Sequence, residues 1–248
     1  MMFVMCAMLA GAPPLRPEAA VAFELGVPGL AGLPETLQAK YEEDDVTAQH
    51  VQQSPAKYPL RATVLDVAAV MRESYRLKPV EQIFELKLEF AKKDVLNFQE
   101  DLASSILLLR EATESLETAA KQRSVEPSAR WQAHLDYLMA ATKHRAGTLE
   151  ELNLAYGTVH RNELPPVKSP NTGWKIEAIE KMNSKRDVRR MLEESLAEFE
   201  DVAKTNPGTP WARLAERELT AKPGLGWVAA EVKPPPPPLK PTIKKKKD

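Results

Sequence analysis

His134, Asp136 and His144 come nearest to a metal-binding set in this 248-residue chain. Imidazoles and a carboxylate suit a zinc ion, provided they converge on one point. On a helix, residues 134 and 144 project roughly 80° apart, so one ion is hard to share. A seam or surface role is the expectation for both histidines. Glu150-Glu151, Glu193-Glu194 and the run Glu42-Glu43-Asp44-Asp45 supply carboxylates. Glycoside chemistry also needs a fixed separation and one raised pKa, which exposed helix faces do not provide. Ser104-Ser105 has no flanking elbow glycines and no preceding strand to present a nucleophile. Gly224-Leu225-Gly226 lacks the third glycine of a phosphate loop and reads as a helix stop. Trp131, Trp174, Trp211 and Trp227 stand at helix starts and turns, where packing is their expected work. No catalytic, cofactor-binding or metal-binding residue is assigned on these grounds. The expectation is a protein without enzymatic activity, cofactor or small-molecule substrate.

The remaining candidate is electrostatic. Six lysines and one aspartate give residues 233–248 a charge of +5, which leaves −6 on the rest of a chain whose total is −1. Lys244, Lys245, Lys246 and Lys247 end this segment behind the five-proline run 234–238. A disordered tail is expected there, with the prolines as a polyproline II rod of about 15 Å. Its lysines could contact nucleic acid or an anionic membrane by salt-sensitive attraction. No aromatic residue interleaves with them to stack on bases. An acidic body does not match a dedicated DNA-binding domain, which carries a basic folded face.

These groups need elements to position them, and the pattern is helical. Glycine is scarce at 10, and the 21 prolines avoid the middle of the chain, with only Pro79 and Pro127 between residues 60 and 164. A first helix is expected over about 61–77, with Val64, Leu65, Ala68, Met71 and Tyr75 on one stripe. From Phe84, alternating steps of four and three reach Leu88, Ala91, Val95, Phe98, Leu102, Ser105, Leu109, Ala112, Leu116 and Ala119. Ten of these eleven residues are apolar. A seven-residue repeat sustained that long is the mark of a coiled-coil seam. A second seam starts at Trp131 and runs through Leu135, Leu138, Leu149, Leu152, Tyr156 and Val159, interrupted at Thr142 and Arg145. Gly147 sits beside the interruption, so a kink or restart is expected there. The short link at 122–127 makes the two long helices antiparallel.

The expected organisation is as follows. Residues 1–60 form a poorly ordered segment with short helices near 18–25 and 34–41. The helical hairpin and its first helix occupy 61–164, a loop and short helix near 174–181 fill 165–185, a helix pair fills 186–228, and the tail is 229–248. Residues 1–12 are apolar and end in Ala10-Gly11-Ala12, like the core and cleavage site of an export signal, although no Lys or Arg precedes Arg16. Localisation stays open. The single cysteine, Cys6, excludes an internal disulfide. The fold class is all-α.

The pair of helices around Asn206-Pro-Gly-Thr-Pro-Trp211 is similar to one tetratricopeptide-type hairpin. Trp131-Gln-Ala-His-Leu-Asp-Tyr137, Leu149-Glu-Glu-Leu-Asn-Leu-Ala-Tyr156 and Asn206–Trp211 followed by Gly224-Leu-Gly-Trp227 together resemble an uncharacterised C-terminal helical region of large bacterial proteins. Some of those proteins also carry a von Willebrand factor A-type domain. Its Asp-x-Ser-x-Ser metal motif and alternating strand–helix pattern are absent from this chain. The resemblance implies a helical region and no activity. The functional expectation is a scaffold or protein–protein interaction module that binds a partner or itself, with the lysine-mediated tether as the alternative.

Overall fold

The computed structural model describes residues 34–41 and 46–232. The expected helix near 18–25, the Glu42–Asp45 acids, Cys6, the proline rod and the terminal lysines lie outside them. Most of the described chain is helical, and a small three-stranded sheet completes it. The all-α expectation is corrected on this point.

Two short helices, α1 (Glu35–Lys40) and α2 (Ala48–Gln53), precede α3 (Pro59–Tyr75). Pro59 opens α3, where a missing N–H costs nothing because no carbonyl lies upstream to receive it. Leu60, Val64, Val67, Ala68 and Met71 form its buried stripe. Strand β1 (Gln82–Phe84) and a 3-10 turn (Glu85–Lys87) lead into α4 (Leu88–Ala120). The seam counted from Phe84 therefore begins in a strand, and its helical part starts at Leu88. A second 3-10 turn (Arg123–Val125) reverses the chain into α5 (Ala129–His160). The two long helices run antiparallel. Arg123 pairs with Asp136 at one end, and Gln99 pairs with Asn153 toward the other.

Helix α5 does not restart at Gly147; it is one continuous helix from Ala129 to His160. The glycine serves an approach instead. A Cβ there would lie 2.5 Å from Leu192 Cγ on α6 (Arg186–Thr205), so only hydrogen lets the two helices come so close. Helix α7 (Pro210–Glu218) follows a tight link. Thr209 Oγ1 accepts from the Ala212 N–H, and Pro210 opens the helix.

Strands β2 (Gly173–Ile179) and β3 (Gly224–Ala230) replace two sequence expectations, a short helix near 174–181 and a helix stop at Gly224. The sheet order is β1-β2-β3, all antiparallel, with Ile83 opposite Trp174 and Ile176 opposite Trp227. Trp174-Lys-Ile-Glu alternates apolar and polar, as a half-covered strand should. Gly173 fits because a Cβ would lie 2.1 Å from the Ile83 carbonyl oxygen. The sheet lies on the C-terminal part of α5. There Trp227 Nε1 donates to the Ala155 carbonyl at 2.9 Å, and its ring meets Tyr156. The core thus centres on α5, with α3, α4, α6 and the sheet packed round it.

Candidate interaction surface and the buried groups behind it

Helix α4 packs on α5 and α3 and leaves a broad outer face to solvent. That face carries large apolar side chains: Phe90 is 71% exposed, Leu96 55%, Leu107 58% and Leu108 52%. Leu86, 83% exposed, stands in the turn just before it. At about 100° per residue, Phe90 and Leu108 share one bearing, and Leu96 and Leu107 share another about 100–120° away. The patch is an elongated strip with Lys93, Glu100 and Glu111 between its apolar edges. Lys87 Nζ sits 5.3 Å from the centre of the Phe90 ring. Glu89 pairs with Lys92 at 2.7 Å, and Arg110 reaches across to Glu150 of α5 at 2.7 Å. Scattered single hydrophobes on a surface are ordinary, whereas several large ones along one helix face are less so.

The groups singled out for chemistry lie elsewhere and are occupied structurally. His134 is buried, and its Nδ1 accepts from Trp211 Nε1–H at 3.1 Å. The proton therefore belongs on Nε2, and the ring is neutral. Burial, and then the nearby Arg130 charge, pushes its pKa down to about 3. Ser195 Oγ gives its hydrogen to the Leu192 carbonyl at 2.7 Å, so His144 Nδ1–H is the donor in their 3.2 Å contact. Burial, and then Arg145, lowers the His144 pKa to about 4. Asp136 is held by both forks of Arg123 at 2.7 Å. The three members of the candidate metal set thus face three different partners. No group of three or more metal-ligating side chains occurs among the described residues.

Arg145, which interrupts the second seam, is buried against α3. Its Nη2 donates to the Ser74 carbonyl at 2.6 Å, and its guanidinium lies 4.6 Å from the Tyr75 ring centre. Glu151 is also buried and accepts the backbone N–H groups of Asn183 and Ser184 at 3.0 and 2.7 Å, anchoring the loop before α6. Glu150 belongs to the bridge with Arg110, and Glu194 lies 3.5 Å from Arg190. Ser104 Oγ donates to the Glu100 carbonyl within its own helix. Gly224 and Gly226 are strand residues. All four tryptophans are buried. Trp174 Nε1 donates to the Pro165 carbonyl, and the Arg61 guanidinium covers Trp131. A cavity of about 330 Å³ opens between the end of α4, α5 and α6. Two of its carboxylates are countered, Asp136 by Arg123 and Glu198 by Lys143. Lys244, Lys245, Lys246 and Lys247 lie outside the described residues.

The exposed strip escapes a reading that counts only the seam. Its signal is nonetheless in the sequence: Ile106-Leu107-Leu108-Leu109 has more apolar residues in a row than one seam can bury. Among the described residues, no helix is long and apolar enough to cross a membrane. No family model matches the chain, and neither a curated protein nor a solved structure does.

Proposed function

We propose that this chain is a non-enzymatic helical scaffold that works by protein–protein contact through the outer face of α4. The single observation that carries the reading is the strip of exposed apolar residues along that helix. Each such side chain gains on the order of 1.5–3 kcal/mol when fully covered, a strong drive to find a cover. The finer description of the scaffold belongs to the same proposal. Burial of Val95, Leu102, Leu109 and Leu116 at seven-residue intervals supports a coiled-coil-like hairpin of α4 and α5. The short link between α6 and α7, with Trp211 and Ala215 buried beyond it, supports one tetratricopeptide-like pair. The likeness to a helical region of large bacterial proteins carries no activity and fits a scaffold.

The test is a pair of variants. Phe90→Lys with Leu108→Lys should leave the melting temperature within a few degrees of wild type and abolish complex formation. Phe90→Leu with Leu108→Met should preserve it. Equal complex formation by both would remove the reading.

The charge contrast between a +5 tail and a −6 body motivates a second reading, a tether to an anionic surface through Lys244, Lys245, Lys246 and Lys247. Deleting residues 240–248 should abolish low-salt binding to anionic vesicles and to nucleic acid. Unchanged binding would sink it.

A further inference from the structure

Residues 233–248 are rooted at the foot of α4. Strands β1 and β3 are both antiparallel to β2, so they run the same way, and Phe84, Gly173 and Ala230 stand in one row at the edge where both end. Two strand spacings separate the outer members of that row, about 10 Å. Val232 is held beside them. Thr172 Oγ1 accepts the Val232 N–H at 2.8 Å and donates to its carbonyl at 2.7 Å, while the Thr172 carbonyl accepts from the Glu85 N–H. The sixteen residues that follow reach about 50 Å when extended. The 33 residues of α4 span about 50 Å as well.

The charges are complementary. Helix α4 carries seven acids and three cations. Lys92 pairs with Glu89, and Arg110 with Glu150. Asp94, Glu100, Asp101, Glu111, Glu114 and Glu117 then stand exposed against Lys93, whereas residues 233–248 hold six lysines and one aspartate. The order matches as well as the sign. An extended segment rooted beside Glu85 passes about two helix residues with each of its own. The prolines 234–238 then pass Phe90, Lys93 and Leu96, where a run without charge suits the exposed lysine. Lys240 passes Glu100 and Asp101, Ile243 passes Leu107 and Leu108, and the lysines 244–247 pass Glu111 and Glu114.

We propose that residues 234–247 lie along the outer face of α4 in the same chain, as an extended strap that a partner must displace. The proposal rests on the reading of that face as a contact surface and names its resident occupant. Prolines and Ile243 cover the apolar edges, and the lysines set the register. Exposed ion pairs are worth little singly. Tethering raises the effective concentration of the strap to the order of millimolar, enough to hold it while leaving it exchangeable.

Disulfide trapping in the full chain tests it, in a Cys6→Ser background that removes the only other thiol. In a glutathione buffer at low salt, Leu107→Cys/Ile243→Cys should close within one chain at an effective concentration about tenfold above that of Leu96→Cys/Ile243→Cys. An unattached segment would favour Leu96, which is nearer its root. High salt, or Lys244→Glu/Lys245→Glu/Lys246→Glu/Lys247→Glu, should hand the preference to Leu96. Equal closure or a preference for Leu96 in the low-salt parent overturns the proposal. A favoured disulfide that joins two chains also overturns it, because the segment of a second copy then fills the face.

Alkylation of Leu107→Cys in the same background separates this failure from that of the parent reading. Protection of the dilute purified protein that is lost on charge reversal at 244–247 supports the strap. Protection in cell extract alone means that another protein covers the face, so the strap falls and the interaction reading stands. Rapid labelling in both removes the two together.

Discussion

Helices α4 and α5 are almost equal in length, lie side by side and carry the same kind of seven-residue apolar pattern, yet they live in different surroundings. In α5, 20 of 32 residues are buried; in α4, 7 of 33 are. A seam says where one neighbour sits, not how many neighbours there are. Helix α5 meets α3, α4, α6 and the sheet, and several of its buried positions off the seam are small. Ala140, Ala146 and Gly147 let other elements approach, and Thr142 returns its hydroxyl to the Leu138 carbonyl. Helix α4 has no such preparation on its outer side. It keeps leucines exposed there between charged residues.

The sharpest way to break this comparison is to place one charge at a time round each helix. Ala140→Asp and Ala141→Asp put a carboxylate into a dry interior on two bearings of α5, and each should cost about 3 kcal/mol or more. Ala103→Asp, on the outer side of α4, should stay within about 0.5 kcal/mol. Leu102→Asp, one residue away on the inner side, should behave like the α5 variants, and Glu100→Ala should not. Chemical denaturation of the five proteins checks this. A carboxylate tolerated at either alanine would contradict the burial of that side of α5.

Protonation comes next in size. His134 and His144 both lie on α5, and burial holds both neutral, at about 3 and about 4. In the unfolded chain each takes a proton near pH 6.5. The unfolded state therefore binds more protons between about pH 6.5 and 4, and stability falls as pH falls through that window. The loss should approach about 3 kcal/mol for each histidine by pH 4. Replacing His144 by Gln should flatten the slope by about half between pH 6.5 and 5, read from denaturation midpoints at each pH. A slope unchanged by that substitution would mean that other groups set it.

The parts of the fold that were legible in the sequence are those whose partners are local. Val95, Leu102, Leu109 and Leu116 follow from their spacing, and the reversal at 122–127 follows from the short link. The sheet was not legible. Trp174-Lys-Ile-Glu-Ala-Ile179 is short enough to pass for a helical turn, and its longer partner begins at Gly224, beyond two helices. The pairing is non-local, and the period of two is too brief to announce it. Of the candidate site, only the excess of apolar residues at 106–109 was visible. Which of them faced outward depended on how many neighbours α4 has.

Gly147 shows the same dependence at smaller scale. Within one helix, Gly→Ala should stabilise by up to about 1 kcal/mol. Here the new methyl meets Leu192, a buried side chain that cannot withdraw freely, and the net effect should be a loss of about 1–2 kcal/mol. Adding Leu192→Ala should make Gly147→Ala favourable by several tenths of a kcal/mol within that background. A stabilised single variant would show that α6 yields to α5.

The smallest expected change in stability tests α4 most directly. Leu107→Ser and Leu108→Ser remove exposed apolar surface, so neither should move the free energy of unfolding of the dilute chain by more than about 0.5 kcal/mol. Leu109→Ser, the next residue, is buried on the seam and should cost about 3 kcal/mol. Three consecutive leucines would then separate into two with no folding role and one that the fold depends on. Covering of Leu107 and Leu108 by a second molecule would add to the stability of the wild type at high concentration by mass action, and not to that of the serine variants. Melting temperatures measured over a hundredfold range of concentration should then rise for the wild type and stay flat for Leu108→Ser. If neither moves, no second molecule covers the outer face of α4, and the difference between the two helices reduces to how many neighbours each has.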